Sequence, residues 1–168
     1  MMKEKHLIKL SGCLLSWTVC RQISLQKVSE YLTDSSLSAL MSVLAFQEVV
    51  HNESYTYVLS SVTDGDTQEK VFEYWKPTKY YWSVTSLLQM DIPILRKIQP
   101  RKTLSVRLYM TLFWKGYFLL LRFAFFYNLA RNEKMLGTSK MINFINRDEQ
   151  IHVNLFVHIL KETLQEKS

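Results

Sequence analysis

Glycine and proline are scarce in this chain, four and three residues among 168, which argues against a turn-rich β-sandwich and against a low-complexity linker. Cysteine is nearly missing too. Its two copies, Cys13 and Cys20, fall in one predicted helix, roughly 10 Å apart along the axis and beyond the reach of a disulfide. A reducing, cytoplasmic setting is therefore expected. Concentrated charge is also lacking. The 21 Lys and Arg exceed the 15 Asp and Glu, for a net charge of +6, but they are scattered; only Arg96, Lys97, Arg101 and Lys102 gather loosely around Pro100. A nucleic-acid partner needs a concentrated basic footprint and is not expected. Long uncharged apolar runs are missing from the most apolar predicted helix, Thr103 to Arg131, which carries Lys115 and Arg122. Its longest uncharged stretch, Phe123 to Ala130, is far short of the ~20 residues of a membrane span, so no membrane partner is expected. Met1 to Lys9 places Lys3, Lys5 and Lys9 ahead of an apolar stretch. No convincing small-residue cleavage site follows Cys13 to Val19, however, and Arg21 interrupts, so a secretory leader is not expected.

What is present is the composition of a chain with a core: 48% hydrophobic and 21% charged residues. The length fits a single domain over residues 1–168. Apolar positions recur at steps of three and four, and the few breakers fall between the periodic segments, so the fold class is all-α. The pattern predicts long helices at about His6 to Tyr31, Leu37 to Val62, Thr103 to Arg131 and Thr138 to Leu164. Asp34 or Ser35 is placed to cap the second of them. Thr63-Asp64-Gly65-Asp66 reads as a turn, Gln68 to Trp75 as a short amphipathic helix, and Asn132 to Gly137 as a loop.

Two Glu-x-x-His motifs stand inside these helices: Glu48-Val49-Val50-His51 in the second long helix and Glu149-Gln150-Ile151-His152 in the last. Residues three apart share a helix face, so each motif projects a carboxylate and an imidazole together. In ferritin-like carboxylate bundles two helices each supply such a pair and two further helices each supply one acid. Two buried Glu–His hydrogen-bonded pairs without metal are the structural alternative. His6 and His158 lack such a neighbour and read as surface residues.

The segment Phe46-Gln47-Glu48-Val49-Val50-His51-Asn52-Glu53-Ser54-Tyr55 resembles the E-x-x-H-x-x-x-Y motif of the small, radical-generating subunit of class I ribonucleotide reductase. Ile145-Asn146-Arg147-Asp148-Glu149-Gln150-Ile151-His152 is similar to the same family's R-D-E-x-x-H. The resemblance runs from about Leu14 to Leu160. It implies a ferritin-like helical bundle in which Glu48, His51, Glu149 and His152 are metal ligands, with Fe or Mn as the implied cofactor. Tyr55 would be the radical tyrosine, and Asp148 the acid that orients a ligating histidine. Leu119, Phe123 and Ile145 would form the apolar pocket around the radical. The implied activity is tyrosyl-radical-dependent reduction of ribonucleotides to deoxyribonucleotides, in deoxyribonucleotide biosynthesis for DNA replication. The implied partner is the large subunit, beside a homodimer mate or a complementing fragment.

Two positions depart from the family. Its third-helix E-G reads Lys115-Gly116 here, and the first-helix acid expected just before Gln22-Ile23 reads Arg21. Two acids become two bases, which opposes a pair of divalent ions, so an impaired or metal-poor site is expected. The chain is also short for the family. The segment bearing the radical-transfer tryptophan and the tail that docks on the large subunit are expected to be absent. A split small subunit, or a non-catalytic helical bundle acting as an interaction or regulatory protein, is the competing reading.

Overall fold

The computed structural model of the chain describes residues 12, 14, 15, 18, 25, 26, 28–30, 32–73, 104–106, 108, 109, 112, 113, 116 and 120–165. Two compact units divide it, residues 1–90 and 91–168. Among the described residues there is no strand, and four helices have continuous bounds: α1 (Ser35–Val62), α2 (Gly65–Glu73), α3 (Leu120–Arg131) and α4 (Leu136–Gln165). Helical residues also lie within 12–29 and within 104–113, where the first and third long helices are expected.

In the first unit α1 begins where a cap allows it. The Asp34 carboxylate accepts from the backbone N–H of Ser36 at 2.7 Å and of Leu37 at 3.4 Å, so the helix opens at Ser35, two residues before the periodic pattern does. Asp64 does the same for α2, accepting from the Thr67 N–H at 2.8 Å. Hydrogen bonds from Thr67, side chain first and backbone second, hold the Asp64 carboxyl below its usual range. The expected turn at residues 63–66 is therefore shorter, with Gly65 and Asp66 already helical. The core of this unit draws on Leu14, Leu15, Leu25 and Val28 together with Met41, Leu44, Leu59 and Val71.

Gly12 is buried, and a Cβ built on it would lie 2.8 Å from Val71 Cγ1 and 3.1 Å from the Val71 carbonyl oxygen. A methyl group in that position meets backbone and cannot be absorbed by a rotamer change. Overpacking costs about 1–3 kcal/mol, more than the ~1 kcal/mol that alanine gains over glycine in a helix. Gly12→Ala is expected to lower stability by about 1 kcal/mol or more, measurable as an earlier urea midpoint; an unchanged or later midpoint would contradict this packing.

In the second unit α3 and α4 pack together around Phe123, Phe126, Ile142, Ile145, Phe156 and Ile159. The Asn146 amide donates to the Tyr127 hydroxyl across them, at 3.3 Å. The turn between the helices is tight. Lys134 N–H donates to the Leu129 carbonyl at 3.0 Å and Glu133 N–H to the Ala130 carbonyl at 2.9 Å. That double bond is a Schellman ending, and it places Glu133 at the position glycine usually takes. Glu133 (φ 56) and Met135 (φ 53) both adopt the left-handed conformation. The expected loop at 132–137 is shortened because Leu136 and Gly137 start α4. A non-glycine residue there costs about 1–2 kcal/mol. Glu133→Gly, which also frees the unfolded chain, is expected to raise stability by a net ~0.5–1 kcal/mol. A fall in melting temperature would show that the Glu133 side chain supplies a compensating contact.

Among the described residues no helix is long and apolar enough to cross a membrane.

Candidate metal centre

The buried stripe of α1 runs Met41, Leu44, Glu48, His51, Tyr55, Val58. That of α4 runs Ile142, Ile145, Glu149, His152, Phe156, Ile159. Both follow the same alternation of steps, three, four, three, four, three, which is the period of a helix face turned to a core. The order of residue types is the same as well: two apolar side chains, a glutamate, a histidine, an aromatic ring and a β-branched residue. The Glu and His of each motif thus fill the central slots of a core stripe, where an apolar side chain would satisfy packing. Burying an ionisable pair there costs free energy unless the pair is compensated.

Burial is nearly complete. Glu48 and His51 are each 1% exposed, Glu149 is 5% exposed and His152 is 0% exposed. Within the first unit His51 Nδ1 lies 3.9 Å from a Glu48 carboxylate oxygen; within the second, His152 Nδ1 lies 3.6 Å from a Glu149 oxygen. Both separations exceed a hydrogen bond, so neither pair is held by one between its own members. They do suit a shared ion. An imidazole nitrogen and a carboxylate oxygen that each stand about 2.0–2.2 Å from one cation sit roughly 3–4 Å apart. An imidazole with a carboxylate offers nitrogen and oxygen donors, matched to Fe(II), Mn(II) or Zn(II) rather than to soft or all-oxygen ions. Each pair on its own helix therefore fits a metal ion by distance, by burial and by donor type.

Tyr55 follows His51 by one turn on the same stripe and is 4% exposed. Phe156 holds the matching slot of α4, four residues after His152. Of the residues expected around the tyrosine, Phe123 and Ile145 are buried in the second unit, at 1% and 3% exposure; Leu119 lies outside the described residues. Arg21 and Lys115 also lie outside them. Asp148 is one-quarter exposed, with Arg147 Nε 3.8 Å from its carboxylate; the Arg147 guanidinium also stands 5.6 Å over the Phe144 ring.

Periodicity does not reveal a polar contact between the first helical stretch and α1. Thr18 is buried at 3% exposure. The Asn52 amide donates to its hydroxyl at 2.6 Å and to the Leu15 carbonyl at 2.9 Å. Asn52 directly follows His51 and lies one turn beyond Glu48, and that adjacency was the available sequence signal.

A family model described as ribonucleotide reductase, small chain, matches residues 2–168. Among curated proteins, the chain is 50% identical over 146 residues to ribonucleoside-diphosphate reductase subunit beta of Halalkalibacterium halodurans, covering 83% of this chain and 41% of that protein. The protein of the same name from Treponema pallidum is 29% identical over 166 residues, covering 95% and 45%. Among solved structures, a Bacillus halodurans protein assigned to class I ribonucleotide reductase superposes with a TM-score of 0.88 at 44% identity, covering 99% of this chain and 60% of that one. The ribonucleotide reductase R2 subunit from Clostridium botulinum gives 0.83 at 29% identity, covering 96% and 51%. The fold is thus the expected all-α, ferritin-like one. The chain spans about half the length of the relatives it matches.

Proposed function

The chain belongs to the ribonucleotide reductase small-chain family, and from that membership we propose that it acts as a small-subunit-like part of ribonucleoside-diphosphate reductase. The observation that carries this reading is the pair of matched core stripes, each with Glu and His buried at its centre. In the proposed centre Glu48, His51, Glu149 and His152 hold a metal ion, and the two units serve one domain. When bound, an iron or manganese ion supplies the one-electron oxidising power that amino-acid side chains lack. Tyr55 is positioned one turn from His51 to take part in that chemistry. Leu119, Phe123 and Ile145 keep water from its ring, and Asp148 orients an imidazole. Arg21 and Lys115, at the positions where the family pattern has acids, oppose a second cation, so one ion at partial occupancy is proposed. The proposed setting is the cytoplasm, and the proposed partners are the large subunit with a second copy or a complementing fragment.

An interaction protein that kept the bundle and lost the chemistry is the second reading. Arg21 and Lys115 favour it, and so does the outward side of α1. That helix has no Lys or Arg in 28 residues and leaves Val43, Phe46, Val50 and Tyr57 exposed. A helix apolar on both sides is built to be covered.

Titration of the purified chain with Fe(II) and Mn(II), followed by elemental analysis, tests the first reading. Less than one ion per chain is expected, with affinity falling at least tenfold in His152→Ala. Uptake that His152→Ala leaves unchanged would remove the motif from the site, and two ions per chain would overturn the one-ion assignment.

A further inference from the structure

We propose that the outward side of α4 is a docking surface, and that it takes an acidic amphipathic helix of a partner polypeptide. The inference goes beyond the metal-centre reading and needs no metal.

Glu149 and His152 belong to the buried side of α4. About half a turn around the helix from them runs a second stripe, and it repeats every seven residues. Lys140, Arg147, Asn154 and Lys161 form one line of it, with Phe144, Ile151 and His158 in the line beside; all are exposed. Seven residues fall about 20° short of two full turns, so both lines keep to one side over the roughly 31 Å from Lys140 to Lys161. A repeat of this period suits contact with another helix along its length. Phe144 and Ile151 each leave about half of their surface in water. Isolated exposed apolar residues are ordinary, but these two stand one repeat apart with Arg147 between them.

Arg147 is already set in place. Its guanidinium stands 5.6 Å over the Phe144 ring and its Nε lies 3.8 Å from the Asp148 carboxylate, while the side chain stays 71% exposed. An arginine held this way loses less freedom when a partner arrives, and arginine and aromatic rings are the side chains that most often anchor protein interfaces.

Charge selects the occupant. A second copy is disfavoured, because parallel pairing sets each base against its own likeness and antiparallel pairing sets Lys140 against Lys161, on a chain whose net charge is already +6. A bilayer surface takes a broad apolar face with cations at its edges, whereas here the cations run down the middle of the stripe beside the apolar residues. The acids of α4 on this side do little to neutralise it: Asp148, at the edge, faces Arg147, and Glu162 stands near the C-terminal end. What fits is a helix whose own apolar line covers Phe144 and Ile151 and whose flanking Asp or Glu meet Lys140, Arg147 and Lys161.

The probe is a synthetic peptide of about three heptads with leucine at a and d and glutamate at e and g, where like charges keep it from pairing with itself. Its twin carries lysine in place of glutamate. Fluorescence anisotropy with the full chain is expected to show the glutamate peptide binding at least about tenfold tighter than the lysine peptide. That affinity should fall at least about tenfold in Ile151→Ser and in Arg147→Glu, both exposed positions whose folding circular dichroism checks. Lys70→Glu makes the same charge change on α2 and should leave the affinity within about twofold. Equal affinity for the two peptides, or binding of neither, overturns the proposal. An affinity that Ile151→Ser leaves unchanged moves the contact off this stripe and also overturns it, as does a loss in Lys70→Glu equal to that in Arg147→Glu, which marks a response to net charge alone. Sedimentation velocity of the chain and its cosedimentation with phosphatidylserine vesicles address the other occupants. A dimer that Ile151→Ser dissociates, or vesicle binding that Ile151→Ser abolishes, overturns the acidic helix in favour of a second copy or a membrane. None of these measurements uses metal, so each outcome leaves the metal-centre reading to its own test.

Discussion

Replacing Lys115 with glutamate is expected to raise Mn(II) affinity at least tenfold, read by calorimetric titration of chains whose melting curves show them folded. The argument is one of charge and of ligand count. In the proposed centre, by resemblance to the family's third helix, Lys115 takes the position of a carboxylate ligand. An ammonium about 5 Å from a divalent ion interacts unfavourably by roughly 3 kcal/mol per unit-charge pair at an effective dielectric of 20. Glutamate would remove that repulsion and add an oxygen donor to the proposed set of Glu48, His51, Glu149 and His152. Part of the gain is lost to solvation, because a buried carboxylate without its ion is costly. A tenfold change needs only about 1.4 kcal/mol, well inside the margin. Without metal the variant is expected to be less stable than the parent, since in the proposed centre a base is lost and a third acid joins Glu48 and Glu149. Metal should restore that stability. Unchanged Mn(II) affinity in a folded Lys115→Glu chain would show that residue 115 is not at the ion, and the third-helix register would be withdrawn.

Much of this architecture is legible from spacing. The steps of three and four that define α1 and α4 also place Glu48, His51, Glu149 and His152 on the buried sides, and all four are buried. The helix starts are less legible, for a physical reason. Asp34 and Asp64 lie outside the apolar pattern, yet by capping free N–H groups they draw polar residues such as Ser35, Ser36, Gly65 and Asp66 into helices that periodicity starts later. The α3–α4 turn carries no glycine at its left-handed positions; α3 stops at Arg131 as the pattern predicts, but nothing in Asn132-Glu133-Lys134-Met135 signals that α4 already begins at Leu136. The Asn52–Thr18 contact spans 34 residues, and no local rule pairs side chains at that distance. The expectation of Arg21 rests on counting back from Gln22-Ile23; what such counting does not show is the burial of Thr18 three residues earlier and its bond to the residue after His51.

No tyrosyl signal is expected by electron paramagnetic resonance when the parent chain is loaded anaerobically with Fe(II) and then exposed to oxygen. Two conditions govern a persistent tyrosine radical: a dry, apolar surround and an oxidant close by. The first is met in part. Tyr55 is 4% exposed and lies on a stripe between His51 and Val58, and Phe156 in the matching slot of α4 shows that a bare ring satisfies packing at such a position. The hydroxyl of Tyr55 is therefore not required to fill the stripe, and Tyr55→Phe should cost less than about 1.5 kcal/mol in stability. The second condition turns on the proposed reading of residues 21 and 115: the oxidant would come from a pair of metal ions, and bases at two of the family's acid positions would leave such a pair two carboxylates short. The same loading of a chain that carries Lys115→Glu together with Arg21→Asp tests whether the surround is sufficient once both acids are present. A radical signal in the parent chain, abolished by Tyr55→Phe, would overturn the prediction and show that the unaltered chain assembles a competent centre despite its basic residue.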